Sequence, residues 1–238
     1  MHVNRFAGRA CDYLKGRPPY PEAVVDELER QGLQPGSLVA DIGAGTGAAS
    51  LIFLRRGHRV IAIEPNEDMR EAAIRLGIDA RPGTGEDTGL PDACADLVLC
   101  AQAFHWMDQS RAWQEFQRIA RPGGWIALLW NNRVRTGSPF LDQLERLLER
   151  FAVEDVSRAE RMDKRRWPGM QEAHFPHVHR VDFEALLARV TSMSWMPRPD
   201  SPAWPAMAAA LRQLFDEHER GGFVEMPHDC VLYWTRKP

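Results

Sequence analysis

The chain has 238 residues, of which 44% are hydrophobic and 26% are charged, and its formal net charge is −3. These values are ordinary for a globular protein and exclude a chain that is disordered throughout. A slightly acidic chain also gives no electrostatic reason to expect a nucleic-acid-binding protein.

Five short apolar runs, most of them separated by segments of helical periodicity, organise the first half of the chain. They predict strands over residues 37–42, 59–63, 78–81, 96–100 and 125–130. Helices are expected over residues 46–56, 66–76 and 110–120. Apolar strands that alternate with helices indicate a parallel sheet covered on both faces. Ligands bind such sheets beyond the carboxyl ends of the strands.

The second half of the chain has a less regular pattern. It predicts helices over residues 140–151, 182–190 and 206–219, and a last strand over residues 230–236. We interpret the charged segment 154–169 as a solvated surface. The spacing of His177 and His179 would put both on one face of a strand. Because no cluster of carboxylates or cysteines accompanies them, we predict no metal site.

The turn after the first predicted strand has an acidic residue, Asp41, followed by a G-x-G-x-G pattern from Gly43 to Gly47. The dinucleotide-binding fingerprint places its third glycine one residue later. A carboxylate at the strand end repels a phosphate but attracts an amine. Glu64 ends the second strand, where an acid either accepts hydrogen bonds from ribose hydroxyls or favours the N-terminus of the next helix. The pattern favours a ligand with an adenosine and an amino-acid tail over NAD.

Further motifs follow this turn in a fixed order. The complete set is Val39-Ala40-Asp41-Ile42-Gly43-Ala44-Gly45-Thr46-Gly47, Glu64-Pro65, Gly83-Thr84-Gly85-Glu86, Asp96-Leu97-Val98 and Arg121-Pro122-Gly123-Gly124. With these motifs, residues 39–130 resemble the class I S-adenosylmethionine-dependent methyltransferases. Residues 13–21, 102–106 and 130–131 resemble more closely a bacterial subgroup related to trans-aconitate and quinone-biosynthesis methyltransferases. The resemblance then covers most of the chain.

The resemblance implies an α/β fold with a doubly wound, Rossmann-like sheet of seven strands. The sheet would be mostly parallel with one antiparallel C-terminal strand, and a helical lid would cover the strand ends. Residues 1–238 would form a single domain. Its parts would be an N-terminal lid (1–35), a cofactor-binding core (36–136), a substrate cap (137–205) and a C-terminal helix with the last strand (206–238).

The resemblance also implies that the cofactor is S-adenosyl-L-methionine, with S-adenosyl-L-homocysteine as the product. The residues that would bind it are Asp41, Gly43, Ala44, Gly45, Gly47, Glu64, Pro65, Met69, Gly85, Glu86, Gln102 and Phe104. Gly85 departs from the family, in which alanine is usual. We therefore expect a looser loop around the adenine.

A small-molecule acceptor would lie beside the cofactor, against residues that follow other strands. His105 is our candidate catalytic residue, because it is the only histidine directly after a core strand. It would act as a general base or as a wall of the pocket. The predicted substrate-binding residues are Tyr13, Arg17, Tyr20, Trp106, Trp130 and Asn131. Arg17 could bind an acceptor carboxylate or pin the N-terminal lid.

Three functions are compatible with these motifs. The first is in-line methyl transfer to a small-molecule carboxylate, hydroxyl, enol or ring carbon. The second is an enzyme that cleaves or cyclises the aminocarboxypropyl chain of the same cofactor, and the third is a non-catalytic adenosyl-ligand-binding protein. An NAD-dependent oxidoreductase is disfavoured by the glycine spacing.

The location and the partners are inferred from what the sequence lacks. No run of about 18 apolar residues and no secretory signal pattern is present. The four cysteines show no metal or disulfide spacing, as is usual in a reducing compartment. We therefore expect a cytoplasmic protein that binds neither membrane nor nucleic acid and is a monomer or a homodimer.

Overall fold

A seven-stranded sheet lies at the centre of the computed structural model, which describes residues 18–153, 169–193 and 195–238. The strands are β1 (Leu38–Ile42), β2 (Arg59–Ile63), β3 (Asp79–Arg81), β4 (Ala95–Ala101), β5 (Ala120–Arg133), β6 (Gln171–Val181) and β7 (Val224–Arg236). Their order across the sheet is β3-β2-β1-β4-β5-β7-β6. β1 to β5 pair in parallel, whereas β7 is antiparallel to both β5 and β6. The predicted fold class, with its antiparallel C-terminal strand, is confirmed.

Seven α-helices are described, and most of them begin where the sequence supplies a capping side chain. They are α1 (Ala23–Arg30), α2 (Ala48–Arg55), α3 (Glu67–Arg75), α4 (Gln109–Ile119), α5 (Pro139–Phe151), α6 (Phe183–Ser192) and α7 (Trp204–His218). Asn66 caps α3, since its Oδ1 accepts a hydrogen bond from the Met69 N–H at 3.1 Å. Asp108, Ser138 and Asp182 cap α4, α5 and α6 in the same way.

Alternating side chains of the strands divide the core into two layers. On β4, Leu97 and Leu99 point into the layer with α1 and α2, which we call the α1–α2 face of the sheet. Val98 and Cys100 point the opposite way, towards α4. Both layers are apolar because a parallel sheet is buried on both sides.

A third apolar cluster joins α5, α6 and α7. It packs on the end of β6 and the start of β7, through Val181, Val224 and Met226. The start of β7 adjoins the carboxyl end of β5, where Arg133 pairs with His228. These helices therefore pack at the carboxyl-end side of the sheet, next to β5.

The apolar pattern does not predict β6 and gives β7 too late a start. β6 is an edge strand that alternates half-buried and exposed residues, among them three histidines and Pro176, so it contains no apolar run. β7 begins at Val224 rather than at residue 230 for a similar reason, because polar residues interrupt its first half. The predictions for Tyr13, Arg17 and residues 154–168 lie outside the described residues.

Candidate active site

A cavity of about 290 Å³ opens at the carboxyl ends of β1, β2 and β4. This is where a parallel sheet of this kind binds its ligand. Its lining includes Gly43, Ala44, Gly45, Glu64, Pro65, Met69, Gly85, Glu86 and Gln102, all of them predicted cofactor-binding residues. Two predicted substrate-binding residues, Tyr20 and Trp106, line it as well. The structure thus brings Tyr20 and Trp106, which are 86 positions apart in the sequence, to the same cavity.

The glycine-rich turn between β1 and α2 has a left-handed backbone at each glycine. Gly43, Gly45 and Gly47 have φ angles of 70°, 58° and 84°, which L-residues with a Cβ rarely adopt. At Gly47 a Cβ would also overlap the Cδ1 atom of Ile78. Gly47 lies at the N-terminus of α2 and does not line the cavity. Gly47 was among the predicted cofactor-binding residues, but in the structure it shapes the turn and does not contact the cavity.

Glu64 is buried beside this turn and is held by two backbone amides. Its Oε2 accepts a hydrogen bond from the Gly45 N–H at 2.8 Å, and its Oε1 accepts one from the Asn66 N–H at 2.8 Å. Burial raises the pKa of Glu64, and these two hydrogen bonds oppose that increase. The carboxylate is thereby fixed at the cavity wall, where it can accept further hydrogen bonds from a ligand.

Asp41, one of the predicted cofactor-binding residues, lies one layer deeper than the cavity and does not line it. It is fully buried, and its Oδ2 accepts a hydrogen bond from the Ser50 hydroxyl at 2.7 Å. Its Oδ1 has no hydrogen-bond partner among the described residues. Burial raises the pKa of Asp41 to about 6, opposed by the Ser50 hydrogen bond. Asp41 therefore places negative charge directly behind the glycine turn.

The loops after β3 and β4 meet on the side of the cavity predicted for the adenine. Oε1 of Glu86 accepts a hydrogen bond from the Asp108 N–H at 2.7 Å, which joins the two loops. The side chain of Met107 lies over Gly85, where a Cβ would overlap its sulfur. The expected looseness at Gly85 is therefore wrong, because Met107 fills the space that an alanine side chain would need.

The chain leaves β4 through a strained residue, Gln102, whose φ is +57°. Its N–H donates to the Leu129 carbonyl at 2.8 Å, and its side-chain amide donates to the Asn131 carbonyl at 3.0 Å. Such backbone outliers persist where surrounding contacts hold them, often at functional sites.

Phe104 was predicted to bind the cofactor, and the structure corrects this prediction. Its ring is buried beside that of Phe116, with 5.8 Å between the ring centroids, and it does not line the cavity.

His105 is half-buried beside Trp106, with 4.7 Å between the ring centroids, and it does not line the cavity. Its Nδ1 is buried and has no hydrogen-bond partner among the described residues. Burial lowers the pKa of His105 to about 4. At neutral pH the ring is therefore uncharged.

Two of the other predicted substrate-binding residues also lie outside the cavity lining. Trp130 packs edge-on against Tyr233, with 5.7 Å between the ring centroids. Asn131 is buried on the α1–α2 face, and its amide nitrogen lies 3.5 Å from the Pro19 carbonyl oxygen. Both residues lie on β5, the strand next to β4, and the end of β4 lines the cavity. They are therefore near the cavity but do not line it.

Several lining residues are missed by sequence reasoning: Ala48, Ala49, Asn66, Thr84, Ala101, Ala103 and Met107. Four of them are alanines: Ala48 and Ala49 begin α2, Ala101 ends β4 and Ala103 follows it. An alanine carries no chemical signature, so the sequence does not mark it as part of a site. Met107 could have been found from the unusual glycine at position 85, since a glycine leaves room for a neighbouring side chain.

Within the described ranges, no group of three or more histidine, cysteine, aspartate or glutamate side chains is arranged to hold a metal ion. None of the described helices combines the length and the apolar character needed to cross a membrane.

Known proteins share both the sequence pattern and the architecture of this site. Residues 40–128 match the family described as "Methyltransferase domain". A solved structure from Anaeromyxobacter dehalogenans, provisionally assigned as a type II methyltransferase, matches with a TM-score of 0.69 and 27% identity, over 92% of this chain and 97% of its own. The chain carries a class I methyltransferase domain. This confirms the predicted family and its cofactor, S-adenosylmethionine, whereas the narrower subgroup stays a prediction.

Two curated relatives extend the similarity of this methyltransferase domain. An uncharacterized methyltransferase of Mycobacterium tuberculosis is 40% identical over 131 residues, which are 54% of this chain and 52% of that protein. An uncharacterized methyltransferase-like protein of Schizosaccharomyces pombe is 28% identical over 205 residues, which are 82% of this chain and 80% of that protein. The chain therefore spans about half the length of the first of these relatives.

The residues of the cavity fit S-adenosylmethionine. Glu64 presents a fixed carboxylate where ribose hydroxyls need an acceptor. At Gly45 no atom lies within 4 Å of where a Cβ would stand, so the turn leaves open space for a ligand. The unpartnered Oδ1 of Asp41 behind the turn favours a ligand that carries a positive charge.

Proposed function

We propose that this chain is an S-adenosylmethionine-dependent methyltransferase that acts on a small molecule. The observation that carries the proposal is the arrangement of Glu64, which the backbone amides of Gly45 and Asn66 fix at the wall of the cavity. An acid fixed at the end of the second strand, next to a glycine turn, suits the ribose of an adenosyl ligand.

The acceptor side supports a small substrate. S-adenosylmethionine supplies an activated methyl group, so the protein mainly has to align the acceptor and exclude water. Tyr20, Ala101 and Trp106 provide an apolar wall with polar edges beside the cofactor residues. A cavity of about 290 Å³ matches ligands of metabolite size better than a macromolecular surface.

The domain layout and the setting of the enzyme belong to the same proposal. Residues 1–238 would act as a single domain, with the lid, core, cap and C-terminal parts predicted above. The enzyme would work in the cytoplasm, on a small molecule and not on nucleic acid, as a monomer or a homodimer. The acceptor would be a carboxylate, hydroxyl, enol or ring carbon, methylated by in-line transfer.

Calorimetric titration with S-adenosylhomocysteine tests the binding part of the proposal. The full chain should bind this ligand and should not bind NAD. Glu64→Gln should weaken binding roughly tenfold to a hundredfold, because a ribose hydroxyl loses its charged acceptor. Glu67→Gln is the matched control on the exposed first turn of α3 and should leave the affinity unchanged. Preferential NAD binding would contradict the proposal.

Product analysis tests the reaction. The protein is incubated with S-adenosylmethionine and pooled small-molecule acceptors, and the adenosyl products are separated by mass. Methyl transfer yields S-adenosylhomocysteine, whereas cleavage of the aminocarboxypropyl chain yields methylthioadenosine. Methylthioadenosine as the main product would replace the proposal with the second of the functions compatible with the motifs.

A further inference from the structure

The loop between β3 and β4, residues 82–94, forms one wall of the cavity although it belongs to no helix or strand. Thr84, Gly85 and Glu86 are its lining residues, on the side predicted for the adenine. Three of the seven residues from 83 to 89 are glycines, and ordering so free a backbone costs conformational entropy. The shape of this wall therefore depends on the contacts that hold the loop.

A buried carboxylate on α4, that of Glu115, holds the loop at Thr88. Glu115 is 8% exposed and Thr88 is 2% exposed. Oε1 of Glu115 accepts hydrogen bonds from the Thr88 N–H at 2.9 Å and from the Thr88 hydroxyl at 2.5 Å. The hydroxyl oxygen of Thr88 in turn accepts one from the Leu90 N–H at 3.2 Å. One carboxylate oxygen thus fixes the backbone three residues after Gly85.

Arg118, one turn further along α4, fixes both this carboxylate and the second half of the loop. Its Nε donates to Oε2 of Glu115 at 2.7 Å, and its Nη2 donates to Oε1 of Glu115 at 2.7 Å. The guanidinium also donates to the Leu90 carbonyl at 2.8 Å and to Oδ1 of Asp92 at 2.5 Å. Burial raises the pKa of Glu115, but hydrogen bonds from Arg118 and Thr88 outweigh it and lower the pKa to about 2. The carboxylate therefore stays ionised at neutral pH.

The same helix holds the loop a second time, at its N-terminus. Glu86 accepts a hydrogen bond from the N–H of Asp108, which is the N-cap of α4. α4 is itself fixed, because Ala112 and Phe116 are buried in the apolar layer on its side of the sheet. The loop is therefore attached to a rigid element at two points directly after Gly85.

Stability alone does not require a carboxylate at position 115. Ala112, Phe116 and Ile119 are buried on the same helix, and a buried ion pair often stabilises a protein no more than apolar side chains of similar volume do. An apolar side chain, however, offers no acceptor to the N–H and the hydroxyl of Thr88. The carboxylate thus supplies what the apolar layer cannot, which is a defined conformation of the loop.

We propose that Glu115 is a positioning residue for the cofactor, which acts through Thr88 to hold Gly85 and Glu86 where the nucleobase binds. The proposal rests on the proposed methyltransferase function and adds a residue that does not line the cavity. When Thr88 is released from Glu115, the ligand itself has to order the loop. Affinity should then fall, and it should fall most for a ligand whose base makes its full set of contacts with the loop.

Two substitutions at Thr88 test this role without removing a charge. Thr88→Val keeps the shape of the side chain and removes the hydroxyl, whereas Thr88→Ser keeps the hydroxyl. Calorimetry of the full chain compares S-adenosylhomocysteine with S-inosylhomocysteine, in which an oxygen replaces the amino group of the base. Thr88→Val should weaken S-adenosylhomocysteine about fivefold and S-inosylhomocysteine less, and Thr88→Ser should bind both ligands as the wild type does.

Thr191→Val is the matched control for lost stability. The buried hydroxyl of Thr191, on α6, donates to the Leu187 carbonyl at 2.6 Å, and Thr191 does not line the cavity. Both valine variants should melt at a lower temperature than the wild type, but Thr191→Val should keep both affinities. An equal loss of affinity in Thr191→Val would overturn the proposal, because affinity would then follow stability.

Substitutions at Glu115 test the acceptor itself. Glu115→Gln keeps one oxygen for Thr88, so it should weaken S-adenosylhomocysteine less than Glu115→Ala does, although both lose the ion pair with Arg118. Equal affinities in these two variants would contradict a role through Thr88. If Glu115→Ala fails to fold, the comparison of Thr88→Val with Thr88→Ser decides.

The outcomes separate this proposal from the proposed function. A wild type that does not bind S-adenosylhomocysteine contradicts the methyltransferase proposal, and the positioning role with it. A wild type that binds it, with unchanged affinity in Thr88→Val, overturns the positioning role alone. Equal weakening of the two ligands in Thr88→Val, or equal binding of both by the wild type, overturns the assignment to the nucleobase.

Discussion

The sulfur of Met107 packs over Gly85, so that a Cβ at position 85 would overlap it. The methyl group of Met107 also approaches Gly43, where a Cβ would lie 3.1 Å from it. One flexible side chain thus covers two glycines of the cofactor cavity. It makes the glycine at position 85 and the methionine at position 107 dependent on each other.

Gly85→Ala should therefore weaken S-adenosylhomocysteine binding while costing little stability. The thioether is flexible and will move before the backbone does, and the free space next to it is the cavity. We expect a loss of unfolding free energy below about 1.5 kcal/mol, as for tolerated changes in side-chain volume. Calorimetry and urea unfolding measure the two effects.

The double variant Gly85→Ala with Met107→Ala is the control for this displacement. It should recover most of the lost affinity, because the smaller side chain at position 107 no longer has to enter the cavity. An affinity that stays low in the double variant would show that alanine at position 85 disturbs the loop itself. Wild-type affinity in the single variant would contradict the displacement altogether.

Much of the sheet and of the cofactor side of the site follows from the sequence. β1, β2 and β4 are apolar runs buried on both faces, and each ends in residues whose chemistry can be read directly. Gly43, Glu64 and Gln102 are such residues, and all three line the cavity. The residues that follow these strands lie at the same edge of the sheet, because parallel strands all end on the same side.

The rest of the site depends on packing that a pattern does not encode. Phe104 follows β4 as a cofactor residue would, but its ring fits the apolar space beside Phe116. Asp41 has the predicted charge, but the turn of the backbone places it behind the glycines. On α4, Gln117 is exposed while Ala112 and Ile119 face the sheet, a division that the apolar pattern of the segment does not determine.

Gly47→Ala should destabilise the protein more than an alanine at another left-handed glycine does. Gly77→Ala is the matched control, since its φ of 82° is close to the 84° of Gly47 and no atom lies within 4 Å of its Cβ position. The left-handed backbone alone costs roughly 1–2 kcal/mol. Overlap with Ile78 should add about 1–3 kcal/mol at position 47. Urea unfolding of both variants gives the difference, and equal losses would contradict the predicted overlap.

Asp41 should make the folded state less stable as the pH rises from about 4 to 6. Burial raises its pKa from the ordinary 3.8 to about 6, so in this range the folded chain keeps a proton that the unfolded chain releases. The stabilisation is complete below the unfolded pKa and is lost as the pH passes the folded pKa. The loss amounts to about 3 kcal/mol.

The variant Asp41→Asn isolates this effect. His105 and His228 have lowered pKa values, so their contributions rise with pH and mask the slope of the wild type. Subtracting the unfolding free energy of the variant from that of the wild type at each pH removes these shared contributions. The difference should fall between pH 4 and 6.5, and a flat difference would show that Asp41 titrates normally.

His105 remains our proposed general base for a hydroxyl or enol acceptor. Its ring is uncharged at neutral pH, its Nδ1 lacks a described partner, and its neighbour Trp106 lines the cavity. With an acceptor in hand, His105→Asn should lower kcat by roughly 10²–10⁴-fold and leave the affinity for S-adenosylhomocysteine unchanged. His174 is a surface histidine on β6, and His174→Asn should change neither quantity.

Because the pKa of His105 lies near 4, the wild-type rate should stay level from pH 6 to 8 unless the acceptor itself titrates there. A raised KM with an unchanged kcat in the asparagine variant would instead make His105 a wall of the acceptor pocket.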